Sequence, residues 1–370
     1  MEIAHVHFYV EDAKLWRDWF VNYLGFKAVA SGISSFHTCT EAVQNGVVYF
    51  LLSSPLSPRS PVAEFLRQHP PGVADIAFAV EDVEAAIAQA QAQGATILQP
   101  ITEQQFGQTS LKCGKIAAWG GLTHTLIEKS LVSSETALRE GFPPQATANP
   151  KGQWSIVNSQ WQLTTDNTFT TIDHIVLNVA IGELELAVSW YKNILDFQPQ
   201  QTFKIQTDRS ALHSQVMISR NGKVQFPINE PASSNSQIQE FLDINRGAGI
   251  QHIALRTSNL ISAIAQFRAR GLSLLSVPES YYTQLKKRPG LPLSSQELSA
   301  IAQQEILVDW KEDAQNAVLL QIFTQPIFEQ PTFFFEFIER RSQAQGFGEG
   351  NFRALFEAIE TEQIKRGTLK

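Results

Sequence analysis

Three side chains, His174, His252 and Glu336, are of the types that hold a divalent metal, and the residues around each argue for burial. Glu336 stands in Pro331-Thr332-Phe333-Phe334-Phe335-Glu336-Phe337-Ile338-Glu339-Arg340-Arg341. Aromatic and β-branched residues fill this stretch and its proline precedes the run, which predicts a strand. Alternation along a strand puts Phe334, Glu336 and Ile338 on one face and Phe333, Phe335 and Phe337 on the other. An ionised carboxylate among phenylalanines is costly unless a cation or strong donors neutralise it, so Glu336 needs a partner. Arg340 or Arg341 at the strand end is one candidate, and a metal shared with two histidines is the other.

His174 lies in Ile172-Asp173-His174-Ile175-Val176-Leu177-Asn178-Val179, and His252 in Ile250-Gln251-His252-Ile253-Ala254-Leu255. Each run reads as the opening strand of a module. A single histidine on an apolar strand is most often a packing residue, but these two occupy matched places. If the modules are related by an approximate two-fold, matched strand positions converge across the interior, which favours the metal over the arginines. Two histidines and one carboxylate form the facial ligand set that holds non-heme Fe(II) and leaves three coordination positions open. The same donors suit zinc, manganese or cobalt, so ligand type alone does not select iron.

The elements that must position these residues repeat along the chain. Residues 5–10 read as a strand, and Leu15, Trp16, Trp19, Phe20 and Tyr23 then recur at helical spacing until Gly25. A strand over 47–52 and a Ser/Pro-rich loop over 53–61 follow. The pattern returns at 74–80 with an Ala/Gln-rich helix to about residue 93, and again at 172–179 and 250–255. An insertion over 278–305 interrupts the fourth repeat, and a last helix carries Phe352, Leu355, Phe356 and Ile359. The fold class expected is α+β: four βαβββ-type modules paired into two open-barrel domains, with a C-terminal helix. Residues 1–130 form a structural two-module domain, the polar stretch 131–170 a linker, and residues 171–370 the catalytic two-module domain. In the first domain His5 aligns with His174, but Asp75 falls where His252 sits and no counterpart of Glu336 is evident. His5, His7, His37 and His124 are therefore read as polar or packing residues.

Composition narrows the setting. A formal charge of −7 in 370 residues gives no basic field for nucleic acid. Two cysteines, Cys39 and Cys113, allow neither a disulfide framework nor a thiolate cluster and fit a reducing cytoplasm. No apolar run approaches the roughly 20 residues of a membrane span, and the N-terminus lacks the pattern of a signal peptide. The 24 phenylalanines point to apolar pockets as well as cores.

Asp173-His174-Ile175-Val176, Gly247-Ala248-Gly249-Ile250-Gln251-His252-Ile253-Ala254 and Glu336 after Leu319-Leu320-Gln321-Ile322-Phe323-Thr324 resemble, in combination, the three ligand motifs of the 4-hydroxyphenylpyruvate dioxygenase family, part of the vicinal oxygen chelate superfamily. Pro227-Ile228-Asn229-Glu230-Pro231, Ser236-Gln237-Ile238-Gln239 and Gly346-Phe347-Gly348-Glu349-Gly350-Asn351-Phe352 complete the resemblance, which is closest over residues 172–360. It implies Fe(II) on His174, His252 and Glu336, and conversion of 4-hydroxyphenylpyruvate and dioxygen to homogentisate and CO2 by decarboxylation, ring hydroxylation and side-chain migration. It assigns Ser214, Asn229, Gln237, Gln251 and Gln321 to polar contacts with the substrate, four of them (all but Gln237) in the catalytic set. Phe323, Phe334, Phe347 and Phe352, with Asn351, line the ring, and Phe347 and Phe352 sit on a C-terminal gate. A homodimer or homotetramer is implied. Two alternatives share the fold: benzylic hydroxylation of the 4-hydroxymandelate synthase type, and a non-catalytic small-molecule-binding protein. An extradiol ring-cleaving enzyme would need a further acid/base histidine, for which His213 is the candidate.

Overall fold

The computed structural model describes residues 1–35, 37–106, 109–131, 168–206, 210–311, 317–351, 358–360, 363–364 and 366–367. The linker expected over 131–170 lies outside these apart from its ends, as do Phe352, Leu355 and Phe356. The chain divides into two compact units, Met1–Thr165 with Glu185–Gln200 and Met217–Gln225, and Asp166–Leu184 with Gln201–Val216 and Phe226–Lys370.

Strand β1 (Glu2–Tyr9) leads into helix α1 (Ala13–Leu24) and strands β2 (Lys27–Ser35), β3 (Thr38–Asn45) and β4 (Val48–Pro55). Helix α2 (Pro61–Gln68) connects to β5 (Gly72–Ala79), α3 (Val83–Ala92), β6 (Ile97–Phe106), β7 (Thr109–Ala117) and β8 (Thr123–Leu131). The pattern repeats with β9 (Phe169–Asn178), α4 (Leu184–Leu195), β10 (Gln198–Gln206), β11 (Ala211–Ile218) and β12 (Gln225–Pro231). Helix α5 (Gln237–Asn245) then precedes β13 (Gly249–Thr257), α6 (Leu260–Ala269), α7 (Glu279–Leu285) and α8 (Ser295–Gln303). Strands β14 (Leu307–Trp310), β15 (Val318–Phe323) and β16 (Phe334–Arg341) complete the fourth module. The Glu336 strand is thus the last strand of that module.

Among the described residues the strands make two eight-stranded sheets with orders β2-β3-β4-β1-β5-β8-β7-β6 and β10-β11-β12-β9-β13-β16-β15-β14. In each, the opening strands of two modules meet antiparallel at the centre and each is flanked by the last strand of its own module, parallel. This is the expected arrangement of four βαβββ modules in two pairs. Local chemistry starts the helices: Asp12 caps α1, Asp82 caps α3 and Asn259 caps α6, each accepting from a backbone N–H of the first turn. Gly25, at φ 70°, ends α1 in the left-handed conformation that glycine adopts without strain.

Alternation then sorts the side chains. On one face of the first sheet Phe8 packs against Phe20 of α1 and Phe50. On the second, Phe337 packs against Phe169, Phe267 of α6 and Phe335. These faces make the core, so residues one step along each strand point to the opposite, concave side. The insertion over 278–305 carries α7 and α8, and residues 358–360 and 363–364 are helical. No described helix is long and apolar enough to cross a membrane.

Candidate metal centre

Strand register assembles the three expected ligands. His174 on β9 lies opposite Ala254 on β13, and Ala254 opposite Glu336 on β16. His252, two residues before Ala254, shares its face and lies opposite Phe334. Ala254, between the two ligand strands, is buried against Leu319, Ile338 and Ala344. The ligand atoms of His174, His252 and Glu336 all lie within 4.8 Å of one another, and all three side chains are buried. Oε2 of Glu336 is 3.0 Å from Nε2 of His174 and 3.7 Å from Nε2 of His252.

Two of the three register breaks between β9 and β13 adjust, next to the ligands, what simple alternation would give. Between the pairs His174–Ala254 and Ile172–Leu255, Asp173 has no partner across the sheet, and between Ile250–Leu177 and His252–Val176, Gln251 has none. An extra residue in a strand re-aims its side chain. Asp173 consequently reaches Nδ1 of its neighbour His174 at 3.0 Å, and Gln251 lines the same cavity as His252. Each bulge immediately precedes a ligand.

The surroundings fix each ligand differently. Asp173 accepts from Nδ1 of His174, and Arg340 holds Asp173 with two hydrogen bonds of 2.7 Å, so the His174 ring presents Nε2 to the centre. Arg340 also donates to the carbonyls of Ala344 and Gly346, just before Phe347, whose ring packs edge-on to His174. The His252 ring stacks on Phe334 at 4.8 Å and 19°, while its Nδ1 is buried with no hydrogen-bond partner. Gln321 donates to Oε1 of Glu336 at 2.8 Å, which leaves Oε2 to the centre. The arginine alternative for Glu336 is not what forms: Arg340 pairs with Asp173, and Arg341 with Glu339 and Glu297.

Electrostatics agree with a cation at this position. Burial pushes the His174 imidazole down, but Glu336 and the hydrogen bonds to Asp173 and Glu336 outweigh it and lift its pKa to about 9. Burial and the neighbouring His174 hold His252 well below the ordinary histidine value. Burial raises Asp173, and Arg340 and His174 more than reverse that and leave it well below the usual carboxylate range. A protonated His174 between two carboxylates therefore stands in for positive charge, and a divalent ion held by its Nε2 and by Oε2 of Glu336 would displace the Nε2 proton. Two imidazoles and one carboxylate oxygen, each oriented by packing or an outer partner, fit a first-row divalent metal.

The cavity beside the ligands is lined by Ser214, Asn229, Gln237, Gln251, Gln321, Phe323, Phe334, Phe347 and Asn351, all expected from the sequence, along with Val176, Phe203, Val216, Pro227 and Ile359. Phe352 lies outside the described residues. His213 takes the opposite face of β11 from Ser214, is 42 % exposed and sits 3.5 Å from Glu230, so it is not beside the ligands. Asp173, Arg340 as its clamp, and Phe203 were missed from sequence. The adjacency of Asp173 to His174 was the available signal, but alternation assigns it to the wrong face until the bulge is known.

Residues 4–110 and 171–287 each match a family model of the glyoxalase/bleomycin resistance protein/dioxygenase superfamily, which is the class that paired modules around a metal-ligand cluster define. The 4-hydroxyphenylpyruvate dioxygenase of Caenorhabditis briggsae is 39 % identical over 380 residues, 99 % of this chain and 92 % of that protein. That of Coccidioides posadasii is 38 % identical over 395 residues, 99 % of this chain and 94 % of that one. The chain belongs to the 4-hydroxyphenylpyruvate dioxygenase family. A solved variant of 4-hydroxymandelate synthase from Streptomyces coelicolor shares the fold, with a TM-score of 0.80 at 24 % identity over 98 % of each chain.

Proposed function

We infer that this protein is a dioxygenase that converts 4-hydroxyphenylpyruvate and dioxygen to homogentisate and CO2. The observation that carries the inference is the cluster of His174, His252 and Glu336 at the wall of a cavity that is apolar except for neutral donors and acceptors. His174, His252 and Glu336 would hold Fe(II), which when bound supplies the redox chemistry and open positions for dioxygen and an α-keto acid. The chain's own residues do the rest. Gln321 ties down one oxygen of Glu336, so a single carboxylate oxygen is committed to the metal. Asp173 keeps the proton of His174 on Nδ1 and its Nε2 free for coordination. Phe323, Phe334 and Phe347 exclude water and hold an aromatic ring. Ser214, Asn229, Gln237 and Gln251 orient a phenol and a keto acid without ionising the phenol. Residues 171–370 carry the chemistry, residues 1–130 are structural, and copies assemble as dimers or tetramers in the cytoplasm.

Anaerobic loading with Fe(II), followed by 4-hydroxyphenylpyruvate and oxygen, tests the assignment through oxygen uptake and product analysis. Homogentisate and CO2 in equal amounts are expected. Hydroxymandelate without homogentisate would transfer the assignment to benzylic hydroxylation, and bound iron without turnover would favour a non-catalytic role.

A further inference from the structure

A chain of hydrogen bonds runs from the metal ligand Glu336 to a tyrosine on the insertion helix α7. Gln321 Nε2 donates to Glu336 Oε1 at 2.8 Å and to the Phe347 carbonyl at 3.0 Å. Gln321 Oε1 accepts from Asn351 Nδ2 at 3.0 Å, Asn351 Oδ1 lies 2.9 Å from the Tyr281 hydroxyl, and that hydroxyl accepts from the Val308 N–H at 2.8 Å and lies 3.0 Å from the Val308 carbonyl. The orientation of both amides follows from the inner end of the chain. A carboxylate and a carbonyl at one terminus of Gln321 require its NH2 group there, which turns its oxygen toward Asn351. Asn351 must then meet it with NH2 and present its own oxygen to the Tyr281 hydroxyl, whose one proton is shared between that oxygen and the Val308 carbonyl. Turning over either amide would set acceptor against acceptor beside Glu336.

The segment that carries Asn351 is shaped to make this contact. Gly348 has φ of 77°, and a Cβ there would come within 1.9 Å of Gln321 Oε1. A Cβ on Gly350 would come within 2.3 Å of Asp309, which accepts from the Gly350 N–H at 3.0 Å. Tyr281 also packs on the cluster of Leu275, Leu307, Phe323 and Phe334, the last two of which line the cavity.

We propose that Tyr281 is a positioning residue of the metal centre: through Asn351 and Gln321 its hydroxyl fixes which oxygen of Glu336 is left to the metal and locks residues 347–351 over the ligands. The proposal rests on the metal-centre reading above. It makes the insertion a part of the site, with α7 holding the final link.

Anaerobic titration with Co(II), followed by its visible absorption, reads metal affinity and ligand geometry without turnover. Loss of a direct outer partner weakens a metal by about 10–100-fold, so Tyr281→Phe, two links further out, is expected to weaken Co(II) by about 3–10-fold and to alter its absorption bands. Asn351→Asp, nearly the same shape but an acceptor toward Gln321 Oε1, is expected to weaken it more. Tyr282→Phe is the control: its hydroxyl is on the same helix and donates to the Ile306 carbonyl, away from Gln321. It is expected to lower thermal stability while leaving the Co(II) affinity and spectrum unchanged. An unchanged spectrum and affinity in Tyr281→Phe, or an equal change in Tyr282→Phe, would overturn the proposal. A wild-type protein that binds no Co(II) would instead overturn the metal centre itself.

Discussion

Strand for strand, the first sheet repeats the register of the second around different chemistry. His5 lies opposite Ala77 and Asp75 opposite His7, where the second sheet sets His174 opposite Ala254 and His252 opposite Val176. Thr125 takes the place of Glu336, and Lys115 that of Phe323. Both bulges recur, at Ala4 and Ala74 where the second sheet has Asp173 and Gln251. The frame that can gather three ligands is therefore present twice, and side chains decide what it holds. In the first sheet the Asp75 carboxylate is neutralised from within, by Lys115 at 3.3 Å and by hydrogen bonds from Thr123 and Thr125. In the second, Phe323 stands where Lys115 would be, and among the described residues the Glu336 carboxylate faces two imidazoles with no lysine or arginine paired to it.

Three perturbations separate the two frames, from the largest effect to the smallest. Asp173→Ala gives the second sheet the residue found at the equivalent bulge of the first. It removes the acceptor that orients the His174 ring and the carboxylate partner of Arg340, and Fe(II) affinity is expected to fall by about 10–100-fold in a direct titration. Lys115→Met removes the internal cation and strands buried Asp75. Chemical denaturation should show a loss of about 1–2 kcal/mol, between an exposed pair and a fully buried one because Lys115 is one-fifth exposed, with kcat of the folded enzyme unchanged. Adding Asp75→Asn should restore most of that loss.

The smallest effect is a pH signature of the metal-free protein. Burial lowers His5 to about 4, His7 to about 3 and His124 to about 4, against 6.5 when unfolded. The unfolded chain then binds more protons below pH 6.5, so the stability these residues contribute is complete above that value and declines as pH falls toward 4. His174 has the opposite sign. Raised to about 9, it contributes fully below pH 6.5 and loses its contribution as pH rises through 9. Unfolding free energy measured without metal should decline at both ends, and Glu336→Gln should remove much of the alkaline loss while leaving the acid one.

How much of this was legible in sequence depended on whether period-two alternation held. It held for the Glu336 strand, where Phe335 and Phe337 do pack on the core and Phe334 does share the face of Glu336. It also gave the module repeat, because each opening strand is an apolar run followed by a helix. Alternation failed at Asp173 and Gln251, since a bulge is a property of the pairing between two strands and leaves no mark in either alone. Strands such as β3, β7 and β10 went unread because one of their faces is polar, which removes the apolar run that announces a strand. Tyr281 sits in an insertion about 55 residues from Glu336, and only the folded chain brings it within two amides of the ligand.

Counting bound Fe(II) asks whether the second frame, and not the first, takes up a metal. Anaerobic Fe(II) titration of the wild-type protein and of Glu336→Ala, with folding of both checked by circular dichroism, should give one tight equivalent per chain in the first and none in the second. Two equivalents in the wild type, or one retained in the folded variant, would rule out a single site built on Glu336.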